Sequence, residues 1–127
     1  MDQRTPKLEH GEITKDILGA AFEVYNELGY GFLEKVYQRA LQAELLQNGH
    51  LAELEPSLEV KYKNAIVGNY FADILVDSRV IVELTVAKSY NKKDEAQLLN
   101  ELKASEIKVG LLINFGQEKV EFKRFVY

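Results

Sequence analysis

Two apolar runs separated by three polar residues constrain this chain more than any other feature. Ala72-Asp73-Ile74-Leu75-Val76 and Val80-Ile81-Val82-Glu83-Leu84-Thr85-Val86 flank Asp77-Ser78-Arg79, the pattern of a β-hairpin. Loop length sets the register of a hairpin, and a shift of one residue turns every side chain to the other face. A three-residue loop pairs Val76 with Val80 and Leu75 with Ile81, which sets Asp73 opposite Glu83. That register also gathers Ala72, Ile74 and Val76 with Val80, Val82, Leu84 and Val86 on the other face, which is then wholly apolar. The pairing that unites the two acids is therefore the one that builds a core.

Residues directly opposite in such a pair have Cβ atoms ~4.5–5.5 Å apart. Two carboxylates at that spacing either share a proton or bind a hard cation. The plainer alternative is a wet strand end where both stay solvated. Glu83, between Val82 and Leu84 in mid-strand, suits that alternative least.

The rest of the chain supplies the partners of this hairpin. Ile13, Ile17, Ala20, Ala21, Val24 and Leu28 recur at helical spacing, with Thr14 as the expected N-cap and Gly29 as the stop. A second helix is expected from Leu33 to Gln47, with Leu33, Val36, Tyr37, Ala40, Leu41 and Leu45 facing inward. After Pro56 the period changes to that of strands: Leu58 to Tyr62, a turn at Lys63-Asn64, a long strand from Ala65 to Val76, and its partner from Val80 to Ala87. Ser89 to Ser105 returns to helical spacing. Lys108 to Asn114 is nearly continuous in apolar residues, as a strand buried on both faces would be. Gly116 turns the chain into a last edge strand, Val120 to Tyr127. The order ααβββαβ(β) predicts an α/β (α+β) fold, a mixed β-sheet flanked by helices. The segment from Val80 to Asn114 forms its crossover between parallel strands. Residues 1–12 read as a flexible leader and 13–127 as a single domain.

Composition excludes some chemistries. With no cysteine there is neither a disulfide nor a thiolate metal site. No apolar run approaches the ~20 residues of a membrane span, so no membrane partner is expected. The polar start MDQRTPKLEHGE lacks the apolar stretch of a signal peptide, and a cytoplasmic location follows as the expectation. The net charge of −4 argues against a dedicated DNA-binding module, because phosphate neutralisation needs a basic surface. It leaves room for an enzyme that meets nucleic acid through one local patch. Homo-oligomerisation is left open.

Further polar residues fall where they can join the acid pair. Glu34 lies in the first turn of the second helix, where the helix dipole favours a carboxylate; dipole pairing alone would also account for it. Lys93, Gln97 and Glu101 recur at i, i+4 and i+8 on the third helix and share a face, which a solvated stripe would equally explain.

Gly31-Phe32-Leu33-Glu34-Lys35-Val36-Tyr37 fits a Gly-x-x-Glu-x-x-Tyr signature and follows "ILGAAFEVYNELG". Together with "ADILVDSRVIVEL", "EAQLLNELKAS" and "VGLLINFG", it resembles the GxxExxY protein family, itself similar to the PD-(D/E)XK nuclease superfamily. The resemblance runs from about Ile13 to the C-terminus. It implies a nuclease-like domain, a divalent-metal-dependent phosphodiesterase acting on DNA or RNA or a catalytically inactive binding or assembly module of the same fold. Asp73, Glu83 and Glu34 would hold magnesium, with manganese as a substitute, and Gln97 would match the glutamine of the nuclease helix. The resemblance also shows two departures. The lysine expected two residues after Glu83 is Thr85, and the tyrosine expected four residues after Gln97 is Glu101. Lys93, on the face of Gln97, is the candidate to replace the missing cation; Lys88 points the other way in a regular strand.

Overall fold

In the computed structural model, which describes residues 9–127, three helices cover the two faces of a five-stranded mixed sheet. The strands are β1 (Ala52–Leu54), β4 (Ile74–Val76), β5 (Val80–Thr85), β6 (Val109–Phe115) and β7 (Val120–Val126), adjacent in that order. The fold class expected from the sequence is the one observed. Residues 1–8, most of the expected leader, lie outside the described residues. No helix among the described residues is long and apolar enough to cross a membrane.

The hairpin adopts the register that its apolar alternation requires. Val76 pairs with Val80, Leu75 with Ile81 and Ile74 with Val82, around the three-residue loop. Asp77 and Ser78 in that loop both take left-handed backbone conformations, with φ of 54° and 55°. β5 then runs parallel to β6, with Glu83 beside Leu112 and Thr85 beside Asn114, the two strands joined through α3 (Lys93–Ser105). Every residue of β6 is buried, as its continuous apolar run demands.

Two cores result. α1 (Gly11–Leu28) and α2 (Glu34–Gln47) pack on one face, where Ile17, Val24, Tyr37 and Leu41 meet Ile74, Val82 and Ile113. On the other face, Leu98 and Leu102 of α3 meet Ile81, Leu112, Phe125 and Leu58. Gly110 lets α3 approach β6 closely, since a Cβ there would lie 2.9 Å from Leu98 Cδ1.

The structure corrects several expectations. α1 begins at Gly11, and Thr14 is not its N-cap; it lies within the first turn and donates its hydroxyl to Gly11 O at 3.0 Å. α3 begins at Lys93, four residues after the expected start. β1, a three-residue edge strand, has no forerunner in the sequence pattern. Leu33 and Val36 do not face the core; Leu33 is 79% exposed, and the helix buries the Tyr37–Leu41–Leu45 stripe instead.

The long strand expected from Ala65 to Val76 is two strands. β3 (Ala65–Phe71) pairs only with β2 (Ser57–Tyr62), forming a separate two-stranded ribbon. The chain bends twice at the same level, at Glu55-Pro56 and at Ala72-Asp73. Glu55 has φ 51°, and its N–H donates to Asp73 O at 3.0 Å; Ala72 N–H donates to Pro56 O at 3.3 Å. The bend also moves Ala72 off the face of Ile74 and Val76. It lies in the α3 core, not the α1–α2 core expected from strict alternation.

Candidate active site

The bend places Asp73 at the start of β4, opposite Glu83, and the two acids take over the strand pairing there. Glu83 Oε1 accepts from the Asp73 N–H at 2.8 Å, and Asp73 Oδ2 accepts from the Leu84 N–H at 2.7 Å. Each carboxyl thus binds the backbone of the strand that carries the other. Gln38 of α2 adds a third tie, donating Nε2 to Asp73 O at 2.9 Å. Its role is invisible in the sequence, where it is one more polar residue of a helix.

These residues edge a cavity of about 230 Å³ lined by Glu34, Phe71, Asp73, Glu83, Leu84, Thr85, Asp94, Gln97 and Leu112. The structure therefore brings four of the sequence-predicted residues, Glu34, Asp73, Glu83 and Gln97, to one cavity. Lys93 is exposed on the first turn of α3 and does not line it. A helix turns ~100° per residue, and it is the next residue, Asp94, that reaches the rim. Thr85 lines the cavity too, but its hydroxyl is committed to Asn114 Oδ1 at 2.9 Å. Asn114 is buried, and its amide also holds Ala87 and Glu121.

Glu34 owes its place to the turn before it. Gly31 has φ 115°, a conformation that L side chains rarely adopt. Tyr37 is fully buried, and its ring stacks on Phe115 with centroids 4.5 Å apart. Its hydroxyl donates to Gly29 O and accepts from Phe32 N–H. The three fixed positions of Gly31-x-x-Glu34-x-x-Tyr37 therefore have separate tasks. Gly31 permits the turn, Tyr37 ties it down, and Glu34 is delivered to the cavity.

The electrostatics of the cluster are those of acids with too little compensation. Burial pushes the Glu83 carboxyl up to about 10, assisted by its hydrogen bond to Glu101 and by the charges of Glu101 and Asp73. Burial likewise raises Asp73 above the usual carboxylate range, against the opposing hydrogen bonds from Leu84 and Glu83. Glu34, although partly in solvent, is raised by desolvation and by the neighbouring Asp73 and Asp94. Glu101, which the sequence presents as a departure, is completely buried behind the pair. Burial raises its carboxyl too, and its Oε1 has no hydrogen-bond partner as an anion. Gln97 Nε2 bridges Glu83 Oε2 at 3.2 Å and Glu101 Oε2 at 3.3 Å.

Lys35, exposed and adjacent to Glu34, opposes part of the upward shift of Asp73 and Glu34, and it pairs with Glu55 at 3.3 Å. The sequence offers no signal for it beyond its place next to Glu34.

A cluster of carboxylate oxygens at one cavity, with no lysine or arginine in its lining, suits a hard divalent cation. Asp73, Glu83 and Glu34 are the residues that would hold it. In the conformation described, no three acidic or histidine side chains among the described residues converge as ligands on one point. Asp73 and Glu83 are instead engaged with backbone amides, and burial favours their protonated forms. Binding requires those carboxyls to deprotonate and turn into the cavity.

Comparison with known proteins agrees with this architecture. The family model described as the PD-(D/E)XK nuclease superfamily matches residues 11–125. Among solved structures, the crystal structure of SSO0001 superposes with a TM-score of 0.58 at 15% sequence identity, over 92% of this chain and 59% of that one. At that identity the likeness is one of fold, and the chain spans less than two thirds of that protein. No curated protein shows a significant sequence match.

Proposed function

We propose that this chain, which belongs to the PD-(D/E)XK nuclease superfamily, is a divalent-metal-dependent phosphodiesterase acting on nucleic acid, slowed by the substitution of Thr85 for a lysine. The observation that carries this reading is the mutual pairing of Asp73 and Glu83 at a cavity that Glu34 and Gln97 also line. Superfamily members generally use divalent metals. Such an ion, when bound, would supply water activation and charge stabilisation on the phosphate under attack. Asp73, Glu83 and Glu34 would hold it, and Gln97, bonded to Glu83 Oε2, would orient that carboxyl. Thr85, bonded to Asn114, supplies no positive charge. Neither lysine lines the cavity, but Lys35 takes precedence over Lys93 as the substitute cation, because it adjoins Glu34 and its charge opposes the upward shifts of Asp73 and Glu34.

The test is calorimetric titration with magnesium and manganese, followed by cleavage of single- and double-stranded DNA and RNA. Weak metal binding lost in Asp73→Ala, and slow cleavage raised by Thr85→Lys, are the expected results. Lys35→Ala should reduce the residual rate and Lys93→Ala should leave it unchanged. No binding of either metal would overturn the reading. A catalytically inactive binding or assembly module would then stand, favoured by the absence of Lys and Arg from the cavity lining and by the acid, Glu101, buried behind it.

A further inference from the structure

The cavity opens beside the β2–β3 ribbon, whose two faces differ. Leu58, on the face turned to α3, is buried in the second core. On the outer face, Ser57 pairs with Phe71, Glu59 with Asn69 and Lys61 with Ile66, and all six are exposed. Phe71 is 64% exposed and yet forms part of the cavity wall beside Asp73.

A phenylalanine in that position offers a π-face and nothing polar. Bases in a duplex already have their faces covered by neighbouring bases, whereas unpaired bases do not, and stacking on exposed aromatics is how single strands are gripped without sequence preference. Duplex binding relies on phosphate neutralisation, and here no lysine or arginine lines the cavity and the net charge is −4. The ribbon has the opposite balance: Lys61 and Lys63 against the single acid Glu59. Neither lysine pairs with an acidic side chain among the described residues, and Lys63 Nζ sits 5.5 Å from the centre of the exposed Tyr62 ring. At ~3.3 Å per residue, β3 leads about 20 Å from the cavity mouth to this basic, aromatic tip, enough for several nucleotides of extended strand.

We propose that the outer face of the β2–β3 ribbon docks single-stranded nucleic acid, with one base stacked on Phe71 at the cavity mouth and the phosphates passing Lys61 towards Lys63. This rests on reading the acid cavity as a nucleic-acid site, and it names the substrate class of that site: unpaired strands or frayed ends, not intact duplex.

The experiment is anisotropy titration of a labelled oligonucleotide, single-stranded or annealed, with the full chain in EDTA so that no metal enters. A 2-aminopurine oligonucleotide reports stacking directly through quenching. Single strands should bind roughly 10-fold tighter than duplex, and Phe71→Ala should weaken them roughly 10-fold and abolish the quench. Phe71→Trp should restore both, which separates stacking from any folding defect. Lys61→Gln with Lys63→Gln should lower the slope of log K against log salt by about 1–2. Equal affinity for duplex, or unchanged binding by Phe71→Ala, would overturn the proposal. So would no oligonucleotide binding at all, including the case where sedimentation shows the ribbon pairing with a second copy of the chain. Metal titration without oligonucleotide is read separately. Strand binding without metal affinity sinks the phosphodiesterase reading and leaves the ribbon, and metal affinity without strand binding does the reverse.

Discussion

The proton held by the buried acids should appear as a pH dependence of stability, and Glu83→Gln is the substitution that exposes it. In the folded chain Glu83 is 8% exposed and titrates near 10, whereas an unperturbed glutamate titrates at 4.5. Between those values the folded chain carries a proton that the unfolded chain has released. Stability from this group is therefore complete below the unfolded value and falls as pH rises from there towards the folded value. At about 1.4 kcal/mol per pH unit, the loss by neutral pH is on the order of 3 kcal/mol. Glutamine has the same shape and no proton to lose. Its carbonyl can accept from Asp73 N–H, its amide can donate to Glu101, and exposed Gln97 can turn to make room. Glu83→Gln should match the wild type at about pH 4.5 and exceed it by about 2–3 kcal/mol at about pH 7, or roughly 10 °C in Tm for a chain of this size. Urea unfolding across that range measures both. Magnesium should raise the wild-type stability at the alkaline end only, by taking the proton's place, and should do nothing for the variant. Parallel pH profiles for the two proteins would refute the shared proton and, with it, the account of why the acids are tolerated.

Three other outcomes follow from named contacts. Tyr37→Phe removes the hydroxyl that ties Gly29 to Phe32 and should cost about 1 kcal/mol in unfolding free energy, with a further loss of metal affinity because Glu34 is no longer held. His50 bridges Asp77 at 2.6 Å and Asp16 at 2.9 Å, hydrogen bonds that raise its pKa; its contribution is full below about pH 6.5 and is lost as pH rises through the folded value. His50→Gln should thus lower Tm in mildly acidic buffer and have little effect in alkaline buffer. Gly110→Ala drives a methyl against buried Leu98 and should cost about 1–3 kcal/mol by chemical denaturation.

The hairpin was legible because two independent signals coincided on it: loop length and the apolar face both specified the same register. β6 was legible from its unbroken apolar run. The bend between β3 and β4 was not, since Phe71-Ala72-Asp73-Ile74 continues the strand composition without interruption. What breaks the strand is distant: Pro56 and Gln38 take up the backbone groups of Ala72 and Asp73. Leu33 and Val36 misled for a related reason. Helical spacing shows that apolar residues share a stripe but not whether anything covers it, and here the stripe's N-terminal end emerges at the cavity rim. Lys35 and Asp94 were missed because each is one residue from the position the helical face selected.

The locations of these misses have a common physical origin. Core positions are specified many times over, by period, by volume and by pairing, so a sequence reading recovers them. At the cavity the chain departs from regular pairing: Asp73 and Glu83 replace ladder hydrogen bonds with carboxyl–amide bonds, Gly31 takes φ 115° and Glu55 takes φ 51°. Each departure costs stability where it occurs and is held by a group remote in sequence. Tyr37 braces the Gly31 turn against Phe115, and Gln38, the next residue, grips Asp73. Two adjacent residues of α2 thus fix both the helical acid and the strand acid from within the first core. Loosening α2 should therefore disturb Glu34 and Asp73 together. A double-mutant cycle of Tyr37→Phe and Gln38→Ala on manganese affinity should show coupling above about 0.5 kcal/mol, whereas strict additivity would mean that the two acids are positioned independently.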